Sequence, residues 1–212
     1  MENLVEVRNL KKIYGSKEAV KDISFNIKRN EILGLLGPNG CGKTTTIGMM
    51  LGLLKPTDGE ILINGKKIEE NRIETLKKIN FISPYIELPK KLTVKQNLIV
   101  YCKLYNVVDV KNRIEYLVEK LRLEDLLDRV TGELSSGQKN RASLAKALIN
   151  NPTVLFLDEP TASLDPEIGD FVRSFLENYK NEKKISILLA SHNMNEVTRL
   201  CKTVLMMKDG TI

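Results

Sequence analysis

The sequence predicts an α/β fold, with a parallel-sheet core, a strand-rich N-terminal part and an inserted helical block. Three features carry that expectation. Residues 4–7, 23–27, 31–36 and 60–64 alternate or run apolar as strands do. Residues 93–150 place apolar side chains at helical spacing. Two apolar runs, 153–157 and 185–190, flank a helical stretch at 166–181. Strand, helix, strand in that order is the unit of a parallel sheet, whose strands are buried on both faces and read as nearly unbroken apolar runs.

Taken along the chain, Leu4-Val5-Glu6-Val7 and Ile23-Ser24-Phe25-Asn26-Ile27 alternate with period two, and residues 31–36 rise into an apolar run. Residues 43–54 are apolar and free of proline, which predicts a helix. The strand at 60–64 lies between two turn signals, Pro56-Thr57-Asp58-Gly59 and Asn64-Gly65. Beyond residue 84 helices are expected at 93–106, 110–123 and 136–150. Leu98, Tyr101, Cys102 and Tyr105 share one face of the first, and Leu144, Ala147 and Leu148 one face of the third. The sequence stops at Lys208-Asp209-Gly210-Thr211-Ile212, partway into what reads as a turn and a new strand, so a trimmed chain is expected.

Composition bounds the function. At 212 residues and 42% apolar content, the chain is long enough for one domain with a sizeable core and too apolar for wholesale disorder. The longest apolar runs, such as Val154-Leu155-Phe156-Leu157, fall far short of the ~20 residues a membrane helix needs. The opening MENLVEVRNLKK lacks the apolar segment of a secretory signal. Three scattered cysteines, Cys41, Cys102 and Cys201, predict reduced thiols in a cytosol. The net charge of +6 is spread over 24 Lys and 9 Arg with no long basic block, which reads as a solvated surface; no nucleic-acid partner is expected.

Two motifs carry chemistry. Gly37-Pro38-Asn39-Gly40-Cys41-Gly42-Lys43-Thr44 fits G-x-x-x-x-G-K-[ST], between an expected strand and an expected helix. Its glycines let successive N–H groups curl toward phosphate oxygens, and the helix N-terminus adds positive potential. Lys43 then reaches the β and γ phosphates, the Thr44 hydroxyl ligates Mg²⁺ and Thr45 bonds the α phosphate. The second motif is Val154-Leu155-Phe156-Leu157-Asp158-Glu159-Pro160. It sets Asp158 at the C-terminal end of a buried strand, the edge at which open α/β sheets bind ligands. Asp158 is expected to hold Mg²⁺ through water and Glu159 to act as general base.

Leu134-Ser135-Ser136-Gly137-Gln138 before a helix resembles the signature LSGGQ of ABC ATPases, with Ser136 in place of the first glycine. Together with the two motifs above, it makes almost the whole chain similar to the nucleotide-binding domain of that family. The resemblance implies a P-loop NTPase core of ABC type made from residues 1–83 and 151–212, an N-terminal antiparallel subdomain, and a helical subdomain at 84–150. It also implies ATP as the nucleotide, Ser163-Leu164-Asp165 as D-loop and His192 as switch histidine. Tyr14, 23 residues before Gly37, resembles the aromatic that stacks on adenine.

The expected assembly is a homodimer or pseudo-dimer with ATP between the P-loop of one copy and Ser135, Ser136, Gly137 and Gln138 of the other. Separate transmembrane permease subunits would hold it at the cytoplasmic face of the membrane. Export is favoured by the wording around His192, and a non-transport ATPase acting on ribosomes or DNA is the alternative. One departure stands out: Pro84 occupies the place of a glutamine that in the family touches Mg²⁺ and the lytic water. Ser83 is the expected substitute.

Overall fold

The computed structural model describes residues 2–212. A long hairpin opens the chain, β1 (Asn3–Tyr14) paired antiparallel with β2 (Lys17–Lys28). These strands outrun the short alternating stretches visible in the sequence because the ladder is repeatedly offset. Asn9 and Asp22 take left-handed backbone conformations at such an offset, and bulges break strict alternation. β3 (Ile32–Leu36) leaves this hairpin for a different sheet. After α1 (Lys43–Met50) the chain returns to add β4 (Asp58–Ile63) and β5 (Lys66–Lys67) to the antiparallel sheet, whose order is β2-β1-β4-β5. The antiparallel unit is therefore built from both sides of the phosphate-binding motif. Asn64 and Gly65, with φ of 53° and 70°, form the two-residue turn between β4 and β5 that the Asn-Gly pair signals.

The helix expected at 43–54 ends at Met50. Gly52 adopts φ +64°, and the N–H groups of Leu53 and Leu54 both donate to Gly48 O, closing the helix with a left-handed cap.

The remaining strands and α-helices are α2 (Arg72–Leu76), β6 (Ile79–Ile82), α3 (Val94–Leu104), α4 (Val110–Leu121), α5 (Ser136–Leu148), β7 (Val154–Asp158), α6 (Pro166–Lys183), β8 (Ser186–Ser191), α7 (Met194–Leu200) and β9 (Thr203–Met206). β6, β7, β8, β3 and β9 form, in that order, an all-parallel sheet. The helices α3, α4 and α5 occupy the chain between β6 and β7. Each starts on a side-chain cap, from Thr93, Asp109 and Ser135.

Alternate residues of the parallel strands enter two cores. Leu155, Leu157, Ile187 and Leu189 pack with α3–α6, including Leu98 and Cys102 with Tyr101 and Tyr105 against them, and Leu144, Ala147 and Leu148. Val154, Phe156, Leu188 and Ala190 pack with Ile47 and Met50 of α1 and with β1 and β2. The sheet is thus the middle of three layers, which is why β3, β7 and β8 are buried along their whole length. The register sets Leu36 beside Ser191 and Asp158 beside Ala190, so the ends of β3, β7 and β8 share one edge. Among the described residues no helix is long and apolar enough to cross a membrane.

One buried cation sits in the helical layer. Lys146 is 9% exposed, donates to Phe81 O at 3.3 Å and lies over the rings of Phe81 and Tyr101. Burial pushes its ammonium down from the usual 10.5 to about 8. The unfolded chain therefore binds the proton more tightly, and stability should rise as pH climbs from about 8 toward 10.5. Lys146→Met, which removes the buried charge, should raise stability by about 1–3 kcal/mol at pH 7. The gain should shrink at pH 10, as read by urea unfolding; an equal gain at both pH values would contradict it.

Candidate nucleotide-binding site

The site grows from the edge where β3, β7 and β8 end. After Leu36 the chain turns at once into the phosphate-binding loop, and the N–H of Gly37 donates to Ser191 O at 3.3 Å. Gly42 takes φ +116°, and a Cβ there would meet Met207 Cε at 2.6 Å and Ala19 O at 2.7 Å, so only glycine fits. The Cys41 side chain is buried, and its N–H donates to Pro38 O at 3.4 Å, which stabilises the loop from within. The amides of Asn39, Gly40, Gly42, Lys43, Thr44 and Thr45 donate to no protein acceptor among the described residues. Those unpaired donors, at a helix N-terminus without a side-chain cap, are what an oligophosphate requires.

Side chains complete the cleft. Lys43 is 5% exposed, and its Nζ donates to Gly37 O at 2.7 Å and Pro38 O at 3.1 Å. It lies 3.7 Å from Glu159 Oε1. Thr44 Oγ1 donates to Asp158 Oδ2 at 2.8 Å. Burial pushes the Asp158 carboxyl up and neighbouring Glu159 adds to this, while the Thr44 hydroxyl and Lys43 pull the other way. A hydroxyl facing a buried carboxylate is a fitting oxygen donor set for Mg²⁺. His192 Nδ1 stands 2.9 Å from Glu159 Oε1, without the alignment of a hydrogen bond, so this buried oxygen remains an unfilled acceptor. Glu159 itself sits in a left-handed conformation, φ 51°, with its N–H on Ala190 O at 2.8 Å. Such local strain is held in place by the surrounding structure and aims the carboxylate into the cleft.

The cleft, about 350 Å³, brings together Tyr14, Asn39, Gly40, Gly42, Lys43, Thr44, Thr45, Asp158 and Glu159. Tyr14 is half exposed at the end of β1, with Lys12 Nζ 5.0 Å from its ring centroid. Three lining residues were not singled out in the sequence: Lys17, Ala19 and Tyr85. Lys17 and Ala19 enter because the hairpin folds back over the loop, which no local motif announces.

Ser135, Ser136, Gly137, Gln138 and Asp165 do not line this cleft. Ser135 caps α5, its Oγ accepting from Gln138 N–H while Gln138 Oε1 accepts from Ser135 N–H. Asp165 caps α6, its Oδ1 accepting from Ile168 N–H. Ser83 does not line this cleft either. Ser83 and Pro84 line a neighbouring cavity of about 270 Å³ beside α5, and Ser83 Oγ accepts from Tyr85 N–H. The residue of this loop that faces the nucleotide cleft is Tyr85, 80% exposed. Proline fixes the backbone between them and donates nothing.

A parallel strand, an amide-lined loop and an Asp-Glu pair on one sheet edge define a P-loop nucleoside-triphosphate hydrolase. A family model described as ABC transporter matches residues 20–162. The bacitracin transport ATP-binding protein BcrA of Bacillus licheniformis is 36% identical over the whole chain, which covers 69% of that relative. Nod factor export ATP-binding protein I of Burkholderia orbicola is 37% identical over 97% of the chain and 68% of the relative. A solved ATP-binding subunit of an ABC transporter superposes with a TM-score of 0.90 at 27% identity, covering 99% of this chain and 88% of its own. A dimeric cassette in a post-hydrolysis state, bound to ADP and phosphate, gives 0.89 at 26% identity over 98% and 96%. The chain belongs to the ABC transporter family, as one of its ATP-binding, ATP-hydrolysing cassettes.

Proposed function

We propose that the chain is the ATPase subunit of an exporter. It works as a head-to-tail dimer around two Mg-ATP, at the cytoplasmic face of a membrane, on separate transmembrane permease subunits that dock on the helical segment 84–150. The observation that carries the dimer is the separation of the two half-sites. The Ser135 hydroxyl and the amides of Ser136 and Gly137 lead α5, they do not line their own chain's nucleotide cleft, and those amides find no acceptor among the described residues. A helix N-terminus with free donors suits the γ-phosphate of ATP held by a second copy. Export is supported by the name of the Nod factor relative, while that of the bacitracin relative supports transport.

Within each half-site Glu159 orients and deprotonates the attacking water. His192 holds the far side of that water and the γ-phosphate. Lys43 exchanges the carbonyls of Gly37 and Pro38 for β and γ oxygens, neutralising charge that builds on the leaving phosphate. Thr44 and Asp158 would hold Mg²⁺, which supplies charge neutralisation when bound. Tyr14 stacks on the base.

Purification of the tagged full chain from detergent-solubilised membranes tests the transport assignment. A multi-span membrane protein should be retained, and vesicles containing both should stimulate ATP turnover. Retention of ribosomal RNA or DNA in its place would contradict it.

A further inference from the structure

The mechanism leaves one buried acid unused. Glu196, in the first turn of α7, is 2% exposed. Its carboxylate faces two hydroxyls: Thr161 Oγ1 donates to Oε1 at 2.7 Å, and Ser191 Oγ donates to Oε2 at 2.8 Å. Thr161 lies two residues beyond Glu159 in the loop after β7. Ser191 ends β8 and precedes His192. Asn193 caps α7 through Oδ1, which brings Glu196 beneath both.

The Ser191 hydroxyl is fixed from the other side as well. It accepts from Asn193 N–H at 3.0 Å and lies 3.4 Å from Glu159 Oε2. Its single proton belongs to the shorter bond, the one to Glu196. The loop 159–164 needs anchoring, because Glu159 and Ser163 both hold left-handed conformations, φ 51° and 62°, that side chains disfavour. Two side-chain tethers restrain it: Asn140 Nδ2 donates to Pro160 O at 2.7 Å, and Thr161 donates to Glu196.

We propose that Glu196 is a positioning residue for ATP hydrolysis. By taking Thr161 and Ser191 on one carboxylate, it locks the loop that carries Glu159 against the turn that carries His192, and so sets their spacing around the attacking water. A carboxylate suits this task because it is acceptor-only and takes two hydroxyl donors at once. The inference rests on the reading of Glu159 and His192 as the groups around that water.

Steady-state ATPase kinetics on the full chain tests it. Glu196→Ala should lower kcat by about 10- to 100-fold while KM for ATP and nucleotide affinity stay within about twofold, because only the reacting geometry is loosened. Glu196→Gln keeps an acceptor for Thr161 and a donor to Ser191 Oγ, and should recover kcat to within about fivefold of wild type. Thr161→Val should cost about tenfold. Added to Glu196→Ala it should cost nothing further, because both cut the same bond. The tether is overturned if Glu196→Ala turns over normally, if the loss appears in KM instead, if Gln is as poor as Ala, or if the two losses multiply. Should Glu196→Ala fail to fold, Thr161→Val carries the test: lower kcat at unchanged KM and Tm supports the tether, and unchanged kcat overturns it. Normal turnover by Glu159→Gln would instead sink the underlying reading, separately from the tether.

Discussion

Lys43→Ala should reduce ATP turnover to background, a loss on the order of 10³-fold. The ammonium is buried in the mouth of the phosphate-binding loop, where its partners are the carbonyl oxygens of Gly37 and Pro38, with Glu159 at 3.7 Å. An incoming triphosphate offers those Nζ protons stronger, charged acceptors. As the γ-phosphoryl leaves, charge builds on the oxygens that Lys43 contacts, so its contribution is greatest in the transition state. Alanine leaves the loop amides and the Thr44–Asp158 pair in place. Nucleotide binding should therefore weaken far less than turnover. Equal ATPase rates for wild type and variant would show that the measured activity comes from a contaminant.

Glu159→Gln should lower kcat by about 10²- to 10⁴-fold, the range for removing a general base, with ATP still bound. Gln is close in shape, and the left-handed backbone and the bond from residue 159 N–H to Ala190 O are indifferent to the change. What is lost is the basic carboxylate beside His192 and Lys43. With hydrolysis stalled, two chains should remain closed around ATP, and light scattering should report a dimer that vanishes with ADP. A chain that binds nucleotide normally yet stays monomeric would contradict the head-to-tail arrangement. Normal turnover would remove Glu159 from the chemistry.

The chemistry was legible in the sequence because its two motifs are local. Gly37 to Thr45 and Val154 to Glu159 each place their functional groups within one strand end and the turn that follows, and the strands are apolar enough to be recognised. Ser135 and Asp165, read from the sequence as signature and D-loop residues, cap α5 and α6 within their own chain. What stayed hidden depends on distant partners. β9 carries little sequence signal because Thr203 to Met206 is a short edge strand that is only partly buried. β1 and β2 show their full length poorly in the sequence because bulges interrupt their alternation. Tyr85 reaches the cleft, and Ser83 does not, through a proline-shaped loop whose course no local pattern specifies. Glu196 stands four residues after His192, a spacing that hints at one helical turn. Its partner Thr161 lies 35 positions away.

The free amides between Asn39 and Thr45, with Lys43 and Asp158, should bind the triphosphate of ATP. Calorimetric titration of the folded Glu159→Gln chain with Mg-ATP tests it without interference from hydrolysis. One nucleotide should bind per chain, and Lys43→Ala in the same background should weaken the uptake. No heat of binding at millimolar Mg-ATP, from protein whose circular dichroism shows it folded, would rule out this role for the loop.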